Sequence, residues 1–341
     1  MSETKFTKDK GKVFSCFACG GGSSFGYKLA GFDVIGCNEI DPKMMEAYRI
    51  NHNPKYSYLE PIQTFKERKD LPDELYQLDI LDGSPPCSSF SMAGNREKDW
   101  GEDKKFREGQ QKQVLDTLFF DFIDLANELK PKIVIAENVK GLLLGNAKQY
   151  VRQIYREFDN AGYYLQHWLL NASKMGVPQR RERVFFIALR KDLAKPYLYQ
   201  KDLFSIVPKL ELVFNEKGIL FKDIKFSDKG KLCEWKGKWM WKKVKYGSYS
   251  QVHPKGYYYN SIKVNKNDVC PTIVSNSGTE LFDYRENRHL SIQQLSKVGS
   301  FPLDYNFLEL RPKYLIGMSV CPVQMAHISL NVYDQWLCNM K

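Results

Sequence analysis

The chain has 341 residues, 43% of them hydrophobic, with a formal net charge of +11. That length accommodates two domains, and the hydrophobic share excludes a disordered polymer. No apolar run approaches the ~20 residues of a membrane span, and residues 1–12 are polar rather than signal-like, so no membrane association is expected.

Eight cysteines are scattered without the repeated spacing of a disulfide framework, which reads as reduced thiols in a cytoplasmic protein. Cys16 and Cys19 form a lone CxxC with no second pair to complete a zinc set, so no metal is expected.

In chain order, residues 12–17 read as a strand, followed by Cys19-Gly20-Gly21-Gly22-Ser23-Ser24-Phe25-Gly26 and a helix through residues 27–30. Residues 33–37 read as a second strand, ending on Asn38-Glu39-Ile40-Asp41-Pro42, with a helix over residues 43–51. Strand, glycine loop, helix, strand and acid make a nucleotide-binding βαβ unit. The glycines admit a ligand close to the main chain. Glu39, whose spacing from Gly20 is near the ~20 residues expected, stands where an acid accepts hydrogen bonds from a ribose diol. Residues 52–77 read as irregular.

An apolar run, Leu78-Asp79-Ile80-Leu81, suits the end of a buried strand and leads into Gly83-Ser84-Pro85-Pro86-Cys87-Ser88-Ser89-Phe90-Ser91. Each proline sets its own φ and restricts its predecessor, so the turn is stiff. It presents the Cys87 thiol at a strand's carboxyl edge, where a nucleophile has fixed direction and open approach. The alternative is a buried structural thiol. Residues 92–111 are polar and nearly free of apolar side chains, the composition of a lid beside such a site or of a solvated loop.

Apolar positions from Val114 to Leu129, Leu118 among them, recur at helical spacing until Lys130-Pro131. Residues 133–136 read as a strand that ends on Glu137-Asn138-Val139, which makes Glu137 a candidate catalytic acid. A helix over 148–160 and a strand over 163–170 follow. Then Gln179-Arg180-Arg181-Glu182-Arg183 runs into a strand at 184–189, and alternation puts Arg181 and Arg183 on one face. Two guanidinium groups there can bind phosphate or carbonyl oxygen.

Residues 191–270 hold 17 Lys/Arg against 8 Asp/Glu, and Trp235, Trp239, Trp241 and Tyr257–Tyr259 interleave with lysines. Basic and aromatic residues at strand period suggest a small β-rich module that meets nucleic acid. The chain closes with Ile316-Gly317-Met318-Ser319-Val320 and a helix that starts near Pro322.

The order of these features resembles the DNA (cytosine-5) methyltransferases, over nearly the whole chain. Pro85-Pro86-Cys87-x-x-Phe90-Ser91, Glu137-Asn138-Val139 and Gln179-x-Arg181-x-Arg183 carry the resemblance. It implies an α/β, Rossmann-like S-adenosylmethionine-dependent methyltransferase fold with a smaller β-rich target-recognition domain. The catalytic domain would occupy residues 1–190, completed by 311–341, and the recognition domain residues 191–310. The implied reaction adds a methyl group to carbon 5 of cytosine in a specific sequence of double-stranded DNA, on a base flipped out of the helix. Cys87 would be the thiolate that adds to carbon 6, Glu137 would bind the ring's N3 and amine, and Arg183 with Arg181 would hold O2 and nearby phosphate. The cofactor would be held by Phe17, Ala18, Gly20, Gly22, Glu39, Ile40, Leu118, Ser319 and Val320. The protein would act as a monomer and could have a cognate restriction endonuclease as partner. The sequence departs from the family pattern at Ser15 (usually Asp), Cys19 (usually Gly), Glu60 (in place of an adenine-contacting Asp), Gln294 (usually Glu) and Met318 (usually Asn). Rival readings are a tRNA cytosine-5 methyltransferase of the same fold, a nicotinamide-dependent oxidoreductase and a non-catalytic DNA-binding protein.

Overall fold

The computed structural model describes residues 6–86, 117–145, 147–202, 205–232, 238–275 and 280–340. Cys87 and the expected lid at 92–111 lie outside the described residues. The chain divides into two compact units, one of Ser2–Leu170, Glu182–Val213 and Met325–Lys341, the other of Asn171–Arg181 and Phe214–Gln324.

The first unit is built on one seven-stranded sheet. Its strands are β1 (Lys12–Cys16), β2 (Asp33–Glu39), β3 (Tyr56–Leu59), β4 (Ile80–Gly83), β5 (Ile133–Val139), β6 (Tyr163–Asn171) and β8 (Glu182–Arg190), in the order β3-β2-β1-β4-β5-β8-β6. β3, β2, β1, β4 and β5 run parallel, and β8 is antiparallel to β5. The expected α/β architecture is therefore the one observed. Helices α1 (Gly22–Leu29), α2 (Pro42–His52), α3 (Ile62–Phe65), α4 (Leu118–Leu129) and α5 (Ala147–Asn160) connect the strands.

Local chemistry sets the boundaries. α2 begins with Pro42 in its first turn and with the Asp41 carboxylate accepting from the Lys43 and Met44 amides at 2.9 and 3.3 Å; it ends on left-handed Asn53. α4 buries Leu118, Phe119, Phe122, Ile123, Leu125, Ala126 and Leu129 in the same core as Phe14, Leu81, Val134 and Phe186. α1 starts at Gly22, where packing overrides the low helix propensity of its Gly and Ser residues. The segment read as irregular contains β3 and α3. Strand β3 is short, only partly buried and paired within the sheet to β2, so its own pattern is too weak to announce it. Short strands β9 (Leu198–Gln200) and β10 (Ile206–Pro208) pair with each other.

In the second unit β7 (Gln179–Arg180) pairs with β13 (Cys270–Pro271), and β11 (Gly247–Ser248), β12 (Ser261–Lys263) and β14 (Glu280–Phe282) form a three-stranded sheet. Helices α6 (Lys238–Lys243), α7 (Ile292–Val298) and α8 (Pro312–Met318) complete it. Lys238–Lys243, read at strand period, is the helix α6 instead. Helical spacing brings the Lys243 ammonium over the Trp239 ring, four residues back, at 5.3 Å. Lys263 donates to the Trp241 and Val244 carbonyls at 3.0 and 3.1 Å, capping the end of that helix. Gln294, at a position usually Glu, completes a capping box with Ser291 and donates to Asp283 at 2.7 Å.

α9 (Pro322–Gln335) runs from the second unit into the first. Contrary to the reading from sequence, the stretch Pro312–Asn339 has the length and hydropathy of a membrane span; 72% of its apolar window is buried within the protein.

Gly83 illustrates the packing at the head of the first unit. A Cβ there would lie 2.6 Å from the Phe122 ring. Gly83→Ala is expected to overpack this contact and lower the unfolding free energy by about 1–3 kcal/mol, measured by urea titration.

Candidate active site

The parallel ladders of the first unit place strand ends side by side. Cys16 is opposite Asn38 and Gly83, and Gly83 is opposite Ala136. The glycine loop after β1, Glu39 at the end of β2, the Pro85-Pro86 turn after β4 and Glu137 near the end of β5 therefore share the sheet's carboxyl edge. β8 runs the other way, so its beginning lies where β5 finishes: Val139 is opposite Arg183 and Glu137 opposite Phe185. Opposed residues of an antiparallel pair share a face, so Glu137 and Arg183 are diagonal neighbours. The Arg183 Nε donates to the Glu137 carboxylate at 2.9 Å, and Glu137 is only 8% exposed. Asn138 reaches from the same strand end to the Pro85 carbonyl at 3.1 Å, tying the turn before Cys87 to β5.

Glu39 is buried, and its carboxylate accepts the amides of Cys19, Ile40 and Asp41 at 2.7, 2.9 and 2.9 Å. Burial pushes its carboxyl up, and those amides pull it back. Phe17, Cys19 and Gly21 all have φ between 49° and 77°, so the loop turns sharply, with two non-glycine residues held in the left-handed region. Gly21 has a steric reason as well: a Cβ there would meet the His52 ring at 2.1 Å. That ring is packed between Phe25 and Tyr48, at centroid distances of 4.0 and 4.4 Å, and burial holds it neutral, well below the usual histidine range. Ala18 is buried, its amide bonded to the Asn38 carbonyl at 3.3 Å, and α1 begins without a side-chain cap after the side-chain-free Gly20-Gly21-Gly22 run. Leu118 is core at the start of α4. Glu60 pairs with Arg68 at 3.0 Å.

Ser319 and Val320 belong to the second unit. So does Arg181, expected on one face with Arg183. It is 2% exposed and donates to the carbonyls of Ile273, Gly317 and Ser319 at 3.1, 3.0 and 2.9 Å. Its two terminal nitrogens are thus engaged with main chain. Gln179 has a similar framework position, accepting from the Ile273 amide at 2.9 Å and donating to the Val298 carbonyl. Among the described residues no cluster fits a metal ion.

Asp82 was not singled out from the sequence. It is 1% exposed and accepts three hydroxyls: Ser15 and Ser23 at 2.7 Å each, and Tyr27 at 3.2 Å. Ser15, where the family pattern has Asp, is its register partner on β1, so the carboxylate stands across the ladder from the expected position. The available signal was an acid inside the apolar run Ile80-Leu81-Asp82-Gly83. Burial pushes the Asp82 carboxyl up to about 6, its three hydroxyl donors pull it down, and the charge of Glu137 adds to the rise. The folded chain therefore binds a proton that the unfolded chain has released, and Asp82's contribution to stability falls as pH rises from about 4 to about 6, by roughly 3 kcal/mol in total. Asp82→Asn is expected to remove this slope, seen as a parent-minus-variant difference in unfolding free energy that changes across that window and is level above it.

The family description "C-5 cytosine-specific DNA methylase" matches residues 11–332. The Type II methyltransferase M.FnuDI of Fusobacterium nucleatum is 37% identical over 182 residues, covering 53% of this chain and 48% of that protein. The chain thus matches about half the length of that relative. The Type II methyltransferase M.NgoFVII of Neisseria gonorrhoeae is 27% identical over 97% of this chain and 89% of its own length. Among solved structures, a putative DNA modification methyltransferase encoded within an Escherichia coli prophage superposes with a TM-score of 0.65 at 21% identity, covering 95% of this chain and 99% of its own. Spodoptera frugiperda DNMT2 does so with a TM-score of 0.63 at 16% identity, over 94% and 99%. These two likenesses establish the fold. With the match from residue 11 to residue 332, the chain belongs to the C-5 cytosine-specific DNA methylase family.

Proposed function

We propose that the chain transfers a methyl group from S-adenosylmethionine to carbon 5 of cytosine within a specific sequence of double-stranded DNA, through a temporary bond from Cys87 to a base swung out of the helix. The observation that carries this reading is the buried Glu137–Arg183 pair, at the sheet edge where Asn138 holds the Pro85-Pro86 turn and the glycine loop lies two strands away.

The residues present fit the donor. A loop without side chains at Gly20-Gly21-Gly22 leaves main chain open to close approach. The buried Glu39 carboxylate takes three amides, and a carboxylate offers about four acceptor positions, which leaves capacity for a ribose hydroxyl. When bound, the donor supplies an electrophilic methyl on a sulfonium. Phe17, Ala18, Gly20, Gly22, Glu39, Ile40 and Leu118 would hold it.

Cytosine carbon 5 is a poor nucleophile. Addition of the Cys87 thiolate to carbon 6 makes the ring an enamine, whose carbon 5 then takes the methyl group. Glu137 hydrogen bonds N3 and the exocyclic amine and so stabilises the adduct; Arg183 holds Glu137 in place and binds O2. Loss of the proton from carbon 5 to water or hydroxide expels Cys87. Stacking hides both ring faces, so the base must leave the helix first. Arg181, whose two terminal nitrogens donate to three main-chain carbonyls, is assigned a supporting part beside Arg183.

Catalysis is assigned to residues 1–190 with 311–341, and DNA recognition to residues 191–310. Within the latter, Trp239, Tyr246 and Tyr257–Tyr259 are exposed, as are Lys238, Lys242, Lys243, Lys245 and Lys255. Lysines among exposed aromatics suit a phosphate backbone. A cognate restriction endonuclease is the partner this reading implies.

Incubation with labelled S-adenosylmethionine and duplex DNA, followed by sequencing for methylcytosine, is expected to show one methylated sequence; label on tRNA and not on DNA would transfer the reading to tRNA. Cys87→Ala should abolish transfer while binding persists, and DNA carrying 5-fluorocytosine should trap a covalent adduct with the parent alone. Lys242→Ala with Lys243→Ala should weaken DNA binding alike on all sequences and flatten its salt dependence, by about one unit of log–log slope per lost phosphate contact, in titrations at several salt concentrations.

A further inference from the structure

We propose that Asp82 is the positioning residue that ties the donor-binding glycine loop to the strand carrying the Pro85-Pro86 turn, so that its carboxylate sets donor affinity. This rests on the donor site proposed above and deepens it.

Asp82 stands between three elements. Ser15 reaches it from β1, Ser23 and Tyr27 from the first two turns of α1, and Asp82 itself lies on β4, three residues before Pro85. The loop is thereby slung between two buried carboxylates: Glu39 holds the Cys19 amide at one end, and Asp82 holds the Ser23 hydroxyl at the other. Gly20, Gly21 and Gly22 between them have no side chains with which to fix their own conformation.

Purely structural duty would not need a charge here. An apolar side chain fills such a position without the desolvation penalty that an acid incurs. Among the described residues the groups that act on Asp82 are Ser15 from β1, Ser23 and Tyr27 from α1, and Glu137 from β5, none of them a cation. In turn its charge, after burial, pushes up the Cys16 thiol and the Tyr27 phenol. The ionised carboxylate accepts all three hydroxyls. Once protonated, the carboxyl loses its negative charge and one of its oxygens carries a donor hydrogen, so its hold on the hydroxyls weakens. The tether then slackens, at a pH near the value of about 6 to which burial raises this carboxyl.

The test is the dissociation constant of S-adenosylhomocysteine, by calorimetry on the full chain at several pH values, with thermal melting of the unliganded proteins as a check on folding. Asp82→Asn is expected to bind about tenfold more weakly than the parent at about pH 8, the scale of one lost charge-assisted hydrogen bond, and the ratio should approach one at about pH 5, where the parent's Asp82 is protonated too. Ser23→Ala removes the tether while leaving the Asp82 carboxyl in place, and keeps the test alive if Asp82→Asn does not fold; it should show the same convergence, from a higher pH, because the lost hydroxyl no longer pulls that carboxyl down. A ratio to parent that stays constant with pH, or a Ser23→Ala that binds as the parent does throughout, overturns the role of Asp82 while the donor site stands. A parent that binds no S-adenosylhomocysteine at any pH overturns both.

Discussion

Strand direction is the constraint from which the site in the first unit derives. β2, β1, β4 and β5 are parallel and in close register, so whatever follows each strand emerges at one edge. Four segments far apart in the chain become neighbours without any long-range side-chain contact being required. β8 contributes from its other end. Being antiparallel, it starts where its neighbour finishes, and a residue near its beginning, Arg183, meets Glu137. A slip of one residue in that ladder would turn Arg183 to the opposite face and leave Glu137 without its cation.

The buried charges at this edge are accommodated in three ways. Glu39 is held by three amides of the turn it helps to form, so its partners come with the backbone. Glu137 has a guanidinium, which removes most of the penalty for burial. Among the described residues Asp82 has three hydroxyls as partners, the weakest of the three solutions, and burial accordingly raises its carboxyl. Perturbed groups of this kind gather where chemistry or binding requires them, and Asp82 lies on the same sheet face as Glu137. In the second unit Arg181 is the converse case, a buried cation whose two terminal nitrogens donate to three main-chain carbonyls, and it shows that an arginine in a motif can serve the framework.

The sequence by itself determined the element types of the first unit, the acid at Glu39 and the strand end at Glu137. Each of those signals is local: apolar periodicity, a glycine run, a proline stop. The motif order also determined the family. Sequence left β3 and α3 unseen, because a short, half-exposed strand takes its conformation from β2 rather than from its own pattern. It misread Lys238–Lys243, where Trp239 and Trp241 fit a strand period while Lys238 with Lys242 and Trp239 with Lys243 fit a helical one, so six residues cannot decide between them. Only the tertiary structure decided which charges meet. Arg181 and Arg183 are two residues apart, yet one is bound by carbonyls and the other by Glu137, because the chain passes from one compact unit to the other between them. Ser15 and Asp82 are 67 residues apart and read as unrelated until the β1–β4 register sets them side by side, since a hydrogen bond depends on distance in space and not on separation along the chain.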